Sequence, residues 1–336
     1  MKKFFLCFLI LCLSICLAAC SFGAAGGETS ELENSQNPVM TDGLQGSPKP
    51  SGQETGGEAE PSASTAEPSS DAGETEESEF DTLPRWTFAE IAEAKAGDIV
   101  TFGTYEQDND AENDAEPIEW FILDMEDGQA TLLSVYLLDC QRYHPEETDM
   151  TWEDCAMRAW LNEDFLNAAF TKAEQEHITV TKLVNEDNPV FGTPGGNDTS
   201  DKIWLLSLGD VEKYFHISLE EYKNLGDDGY LKGLYCYDQD HRVLAKPTAY
   251  AIQQLCYPYD VDERVVQAEQ WGPVDDEFRA EVEKNRYANG CSNWWLRSPG
   301  HYESYASTVG FAGNIYYGGI FVNMEYGVRP ALTVTY

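Results

Sequence analysis

The sequence predicts an α+β fold, a single compact domain of short antiparallel strands and a few helices that follows a leader and a disordered tether. Three observations carry this. Helix and strand patterns come in blocks, without the strict alternation that winds a parallel sheet. The pair Asp127-Gly128 separates two apolar runs, the signature of a tight antiparallel hairpin. The end of the chain breaks into short aromatic runs separated by Gly and Asn, which read as a series of short strands.

The first element lies outside that domain. Lys2 and Lys3 precede an apolar run from Phe4 to Leu17, followed by Ala18, Ala19 and Cys20. A charged n-region, an apolar h-region and small residues at the junction make residues 1–19 a signal peptide. The run is shorter than the roughly 20 residues that cross a bilayer, so it reads as a signal and not as a span. Leu17-Ala18-Ala19-Cys20 resembles the lipobox of bacterial lipoproteins. The resemblance implies cleavage before Cys20, lipidation of that cysteine, and a protein held on the outer face of the cell membrane. Two acyl chains, at roughly 0.8 kcal/mol per buried methylene, suffice for stable anchoring.

Residues 20–84 comprise Cys20 and an acidic linker. The 64 residues from Ser21 to Pro84 hold 14 acidic side chains and one basic side chain, Lys49, with almost no large apolar residue. Such a stretch cannot offset its ordering entropy and reads as disordered. A flexible chain of this length spans about 45 Å, and self-repulsion extends it further. Its composition favours a solvated spacer over a binding segment.

Residues 85–336 number 252, enough for one sizeable core. The whole chain carries a formal charge of −39; the leader contributes +2 and the linker −13, leaving −28 on the domain. A surface this acidic repels phosphate backbones, which excludes nucleic acid as a partner.

Within the domain, Thr87 and Glu90 form a capping box ahead of Phe88, Ile91 and Ala92, and Gly97 stands where that helix would end. Strands are expected over 98–105, 117–125 and 130–138, the last two joined at Asp127-Gly128. Thr151 reads as the cap of a helix with Trp152, Cys155, Ala156, Ala159 and Trp160 on one face, continuing through Phe165, Leu166 and Phe170. Thr171 and Glu174 cap a short helix before a strand over 178–184. A Gly/Pro/Asn/Asp loop over 185–201 precedes a strand over 203–206 and short helices near Val211 and Ala249. Residues 257–290 read as loop-rich.

Several motifs recur together in this order: Ile99-Val100-Thr101-Phe102-Gly103, Pro117-Ile118-Glu119-Trp120, Arg158-Ala159-Trp160-Leu161-Asn162 with Phe165-Leu166, and Gly196-Asn197-Asp198. They are followed by Trp294-Trp295-Leu296-Arg297-Ser298-Pro299-Gly300 and Gly327-Val328-Arg329-Pro330-Ala331-Leu332. Together they resemble a family of bacterial domains of unknown function common in Gram-positive anaerobes, over essentially all of residues 85–336. The last two motifs also resemble, more distantly, the C-type-lectin-like fold of formylglycine-generating enzymes and retroelement-diversified receptor proteins. That resemblance implies a lectin-like domain with ligands held by loops near the end of the chain. Read on their own terms, Trp294, Trp295, Arg297, Gly327 and Arg329 are structural, with both arginines expected to pair with buried carboxylates.

Candidate sites follow from composition and spacing. Between the two terminal motifs, Tyr302, Tyr305, Tyr316 and Tyr317 lie among Asn314, Asn323, Ser and Gly, the mixture that recognition loops use. The alternative is that these rings only pair across strands. Asp108, Asp110, Glu112 and Asp114 alternate, with Glu119 beyond them, and echo a calcium loop. Asn113 stands in place of the glycine and the flanks read as strands, which favours a solvated acidic hairpin loop. No other cofactor is expected. Cys140 and Cys155 are separated by 14 residues, open to a bridge or to burial as two free thiols.

The five histidines, His144, His177, His216, His241 and His301, lack helical metal spacing, and no G-x-S-x-G elbow occurs. Formylglycine-type chemistry needs two cysteines near the end of the domain, where only Cys291 stands. With no catalytic residues singled out, the expectation is a surface-anchored, non-catalytic binding module for a glycan, peptide or protein. The alternative is an enzyme acting on envelope or host polymers through an unrecognised site.

Overall fold

In a computed structural model of the protein, residues 82–216, 234–235, 240–270 and 273–336 are described. All of them belong to one unit, Gly73–Tyr336. The leader, Cys20, the linker up to residue 81 and Cys236 lie outside the described residues.

The domain is α+β and is organised by two main sheets. The first contains β1 (Arg85–Thr87), β2 (Ile99–Tyr105), β3 (Glu116–Glu126) and β4 (Gln129–Ser134), followed by the last strand of the chain, β15 (Ala331–Thr335), and then β6 (Ile178–Thr179). β9 (Ile203–Trp204) also pairs with β15. The second sheet has the order β10 (Leu234–Tyr235), β13 (Asn314–Phe321), β12 (Tyr305–Val309), β11 (Trp294–Pro299), β14 (Glu325–Val328) and β5 (Asp139–Arg142). A small pair, β7 (Thr181–Leu183) and β8 (Thr199–Asp201), stands apart.

The hairpin of β3 and β4 is fixed by its turn. Glu126 opposes Gln129, and the two residues between them, Asp127 and Gly128, take φ of 50° and 75°. Positive φ at both central positions is the type I′ turn whose twist matches the flanking strands. In β2 the register shifts between Thr101 and Thr104, with Gly103 at φ 72°. The Trp120 indole N–H donates to the Phe102 carbonyl at 2.7 Å, satisfying a backbone group beside this irregularity. A Cβ at Gly103 would meet the Phe170 ring at 2.5 Å, so glycine here also lets the sheet close on the helical layer.

That layer is one continuous helix, α1 (156–169), in which the α-helical turns Ala156–Trp160 and Leu166–Ala169 flank a π-helical stretch, Leu161–Phe165. Asn162 explains its place in the motif. Its side chain donates to the carbonyls of Arg158 and Ile203 and accepts from the backbone N–H groups of Lys202 and Ile203. Arg158 adds an ion pair with Asp201 at 2.7 Å. Together these tie the helix to β8 and β9.

One corner joins the two sheets through the chain itself. Ser134 N–H donates to the Pro330 carbonyl and Leu138 N–H to that of Val328, so the chain leaves β4 for β5 beside the place where it passes from β14 to β15. Arg329 is fully buried in this corner. It donates to the carbonyls of Ser134 and Arg242 and lies 5.0 Å from the Trp294 ring. Arg329 is thus held by carbonyls and rings, not by the carboxylate expected for it. Backbone acceptors are what a corner between sheets leaves unpaired.

Other expectations change in detail. The Thr87 capping box is present, but the segment it opens, Phe88–Glu93, is a 3₁₀ helix. Ala94 is already extended and Gly97 donates to Ile122, which commits the chain to the sheet. The helix expected from Thr151 begins at Ala156 because Trp152 turns inward and donates to Asp201 at 3.0 Å. The strand over 178–184 divides at Val180 between two sheets, and the strand over 130–138 ends at Ser134. Residues 257–290 carry two helices, Val261–Glu269 and Asp276–Glu283, capped by Asp260 and Asp275.

Candidate aromatic binding platform

The turn from β11 into β12 carries a row of rings. Phe191 stacks on His301 at 4.2 Å and 15°, His301 stacks on Tyr302 at 4.3 Å and 8°, and Tyr305 meets Tyr302 edge-on at 5.2 Å. Tyr305 in turn packs on Phe321 at 4.4 Å. Tyr302 ends the stack with 55% of its surface exposed.

The backbone beneath the rings is pinned by buried hydrogen bonds. Asn188, 2% exposed, donates from its amide nitrogen to the carbonyls of Pro299 and Tyr317, while its amide oxygen accepts from Val190 N–H and Phe191 N–H. Thr193 donates its hydroxyl to the His301 carbonyl at 2.8 Å. Gly300 N–H donates to Tyr305, and a Cβ at Gly300 would lie 2.4 Å from the Gly318 carbonyl oxygen. The loop over 185–196 and the β11–β12 turn are therefore locked to one another through Asn188. Composition points to Tyr302 and Tyr305 but misses Asn188, Phe191 and His301. The Asn-Pro pair inside a Gly/Pro-rich loop is the available signal, and it does not reveal partners more than a hundred residues away.

The other residues expected to meet a ligand lie elsewhere. Tyr317 is fully buried and Asn314 is 3% exposed. Asn314 Oδ1 and the Tyr316 ring close on Gly310, 2.4 and 2.7 Å from where its Cβ would stand. Tyr316 is half-buried, and Asn323 lies in the turn after β13, also half-buried. Their burial makes Asn314 and Tyr317 scaffold and not ligand contacts.

The acidic loop is also rearranged. The carboxylates that gather within 4.8 Å of one another are Glu106, Asp108 and Glu116. Of the five expected ligands only Asp108 is among them. Asp110, Glu112 and Asp114 are exposed, and Glu119 forms an ion pair at 2.8 Å with Arg85 of β1, across the intervening β2. Glu116 accepts from Gln107 N–H and Asp108 N–H, and Asp108 accepts from Asp110 N–H and the Asn113 amide. The Asn113 hydrogen bond, with that from Asp110, holds the Asp108 carboxyl below its ordinary pKa.

No bridge joins Cys140 to Cys155. Both are free and buried. Cys155 is the N-cap of α1, accepting from Arg158 N–H and donating to the Trp152 carbonyl, while Cys140 faces Cys256.

A second concave surface lies between the first sheet and β7. It is a polar groove of about 380 Å³ lined by Thr131, Thr181, Thr333, Lys182, Tyr214 and the edge of Arg297. Arg297 is nearly buried and pairs with Asp210. Burial pushes the Asp210 carboxyl up, but the Arg297 charge and the Ser207 hydrogen bonds outweigh it and hold its pKa below the ordinary value. This arginine is fully engaged in structure, donating also to Asn185 and the Leu205 carbonyl.

Residues 127–336 match the model of a family described as Domain of unknown function (DUF6273). No curated protein and no solved structure matches the chain.

Proposed function

The chain belongs to the DUF6273 family, and we propose that it is a lipid-anchored, extracytoplasmic binding module that recognises a glycan on the Tyr302 platform. The observation that carries this is the exposed, pre-stacked ring of Tyr302, backed by His301 and Phe191. A tyrosine fixed in this way offers flat amphipathic area with little left to order on binding. The charge of −28 on the domain selects a neutral or amine-bearing glycan over an anionic one. The distant resemblance of the last two motifs to lectin-like folds accords with this reading. The leader and Cys20 supply the route to the cell surface.

Screening the protein on an array of neutral, cationic and anionic glycans tests the ligand class. A neutral or amine-bearing hit is expected to weaken at least tenfold in Tyr302→Ala, about 1.4 kcal/mol, with an unchanged melting temperature. Tyr317→Ala is expected to lose stability first. Binding that survives Tyr302→Ala, or hits confined to anionic polymers, would overturn the platform.

A further inference from the structure

Cys140 and Cys256 come together from distant parts of the chain. Cys140 lies in β5 directly opposite Gly327 of β14. A Cβ placed on Gly327 would stand 3.2 Å from the Cys256 sulfur. Side chains of directly opposed strand residues leave the sheet on one face, about 4.5–5.5 Å apart at Cβ. The Cys256 sulfur therefore occupies the space beside the Cys140 side chain that only a glycine at 327 leaves empty. The two thiols are close enough to shift one another's ionisation, Cys140 up and Cys256 down. Cys140 is 6% and Cys256 2% exposed, so neither serves a surface ligand.

The backbone that delivers Cys256 is strained. After the short helix Ala249–Gln253, Leu255 takes φ 78°, and Cys256 N–H returns to the Ala251 carbonyl at 3.0 Å. Leucine in the left-handed region is disfavoured by its own Cβ. Its side chain is 46% exposed, so little packing repays that conformation. What the turn achieves is to aim Cys256 at Cys140.

We propose that Cys140 and Cys256 form a disulfide in the exported protein, by thiol–disulfide exchange with a disulfide-bearing oxidant. The oxidising setting rests on the export reading above, whereas the pairing rests on geometry alone. The Cys256 thiolate attacks one sulfur of the oxidant R–S–S–R, releasing RS⁻ and leaving a mixed disulfide on Cys256. The Cys140 thiolate then attacks the Cys256 sulfur and expels the second RS⁻. The protein loses two protons and two electrons, and the oxidant becomes two thiols. Cys256 is the better first nucleophile because the neighbouring Cys140 thiol lowers its pKa, while Cys256 and burial raise that of Cys140. The bond would tie the segment after residue 253 to the edge strand β5.

The full chain, purified in detergent and reduced, is unfolded in urea, refolded with oxidised glutathione, alkylated and mapped by mass spectrometry. The expected product is one linked peptide pair containing Cys140 and Cys256, lighter by two hydrogens, about 2 Da, with Cys155 and Cys291 alkylated. Cys140→Ser is expected to leave glutathione on Cys256, and Cys256→Ala to leave Cys140 alkylated. Reducing the bridge is expected to lower the melting temperature by several degrees. Alkylation of both Cys140 and Cys256 after oxidation, or their linkage to other cysteines, would overturn the pairing. A bridge formed in the tube but reduced in protein taken from cells would instead overturn the export reading and leave the pairing intact.

Discussion

Asp139 shows how one buried carboxylate can report on the corner between the sheets. It opens β5, accepts from the Tyr105 hydroxyl and from Cys140 N–H, both at 2.7 Å, and is only 4% exposed. Burial raises its pKa, and the Tyr105 and Cys140 hydrogen bonds offset part of that rise. A carboxyl whose folded-state pKa lies above its unfolded value stabilises the fold fully below about pH 3.9, the ordinary aspartate value. That contribution is lost as pH rises through the folded value. Comparing wild type with Asp139→Asn by thermal unfolding from pH 4 upward should therefore show the variant gaining relative to wild type, then levelling off. A difference that stays constant with pH, or that shifts in favour of wild type as pH rises, would show that burial does not raise the Asp139 pKa.

Among the elements, glycine positions separate local from tertiary control. Gly128 has φ 75°, and a Cβ placed there would meet nothing closer than the Tyr336 carbonyl oxygen at 3.9 Å. Gly128→Ala should cost only the left-handed penalty, about 1–2 kcal/mol. Gly103→Ala carries a similar φ and also drives a methyl into Phe170 and the Ala169 carbonyl, adding about 1–3 kcal/mol. Urea unfolding midpoints should rank wild type, then Gly128→Ala, then Gly103→Ala; equal effects would show that the helix yields at no cost. The same contrast explains what could be read from the sequence. The Asp127-Gly128 turn and the Thr87 and Thr171 capping boxes are satisfied within a few residues, so local patterns carry them. The π-helical stretch and the platform depend on Asn162 and Asn188, whose partners lie 41, 111 and 129 residues away. The two helices after residue 260 have local Asp caps, but the polar composition around them masks the helical period. Tyr302 and Tyr317 look alike in sequence, and only the fold, which puts Tyr302 in an exposed turn and Tyr317 inside β13, makes one a surface ring and the other core.

At the scale of the whole molecule, charge decides the response to salt. The chain carries 60 acidic and 21 basic side chains. Two ion pairs that stitch elements together, Arg297 with Asp210 and Arg158 with Asp201, each bury one partner almost completely and are poorly screened. The more exposed pairs, such as Arg142 with Glu325 and Lys182 with Asp198, are worth about 0–1 kcal/mol each. Salt therefore removes more repulsion among unpaired carboxylates than attraction within pairs. Raising sodium chloride from about 20 mM to about 500 mM shortens the Debye length from roughly 20 Å to roughly 4 Å and should raise the melting temperature. A fall would mean that the exposed pairs outweigh the repulsion. Screening does not depend on which cation supplies it, so calcium and magnesium chloride at equal concentration should stabilise equally. The Glu106, Asp108 and Glu116 carboxylates gather within 4.8 Å, but Asp108 and Glu116 already accept from four nitrogen donors in their own loop. An excess shift with calcium, lost in Asp108→Asn, would show that the loop exchanges those donors for a metal.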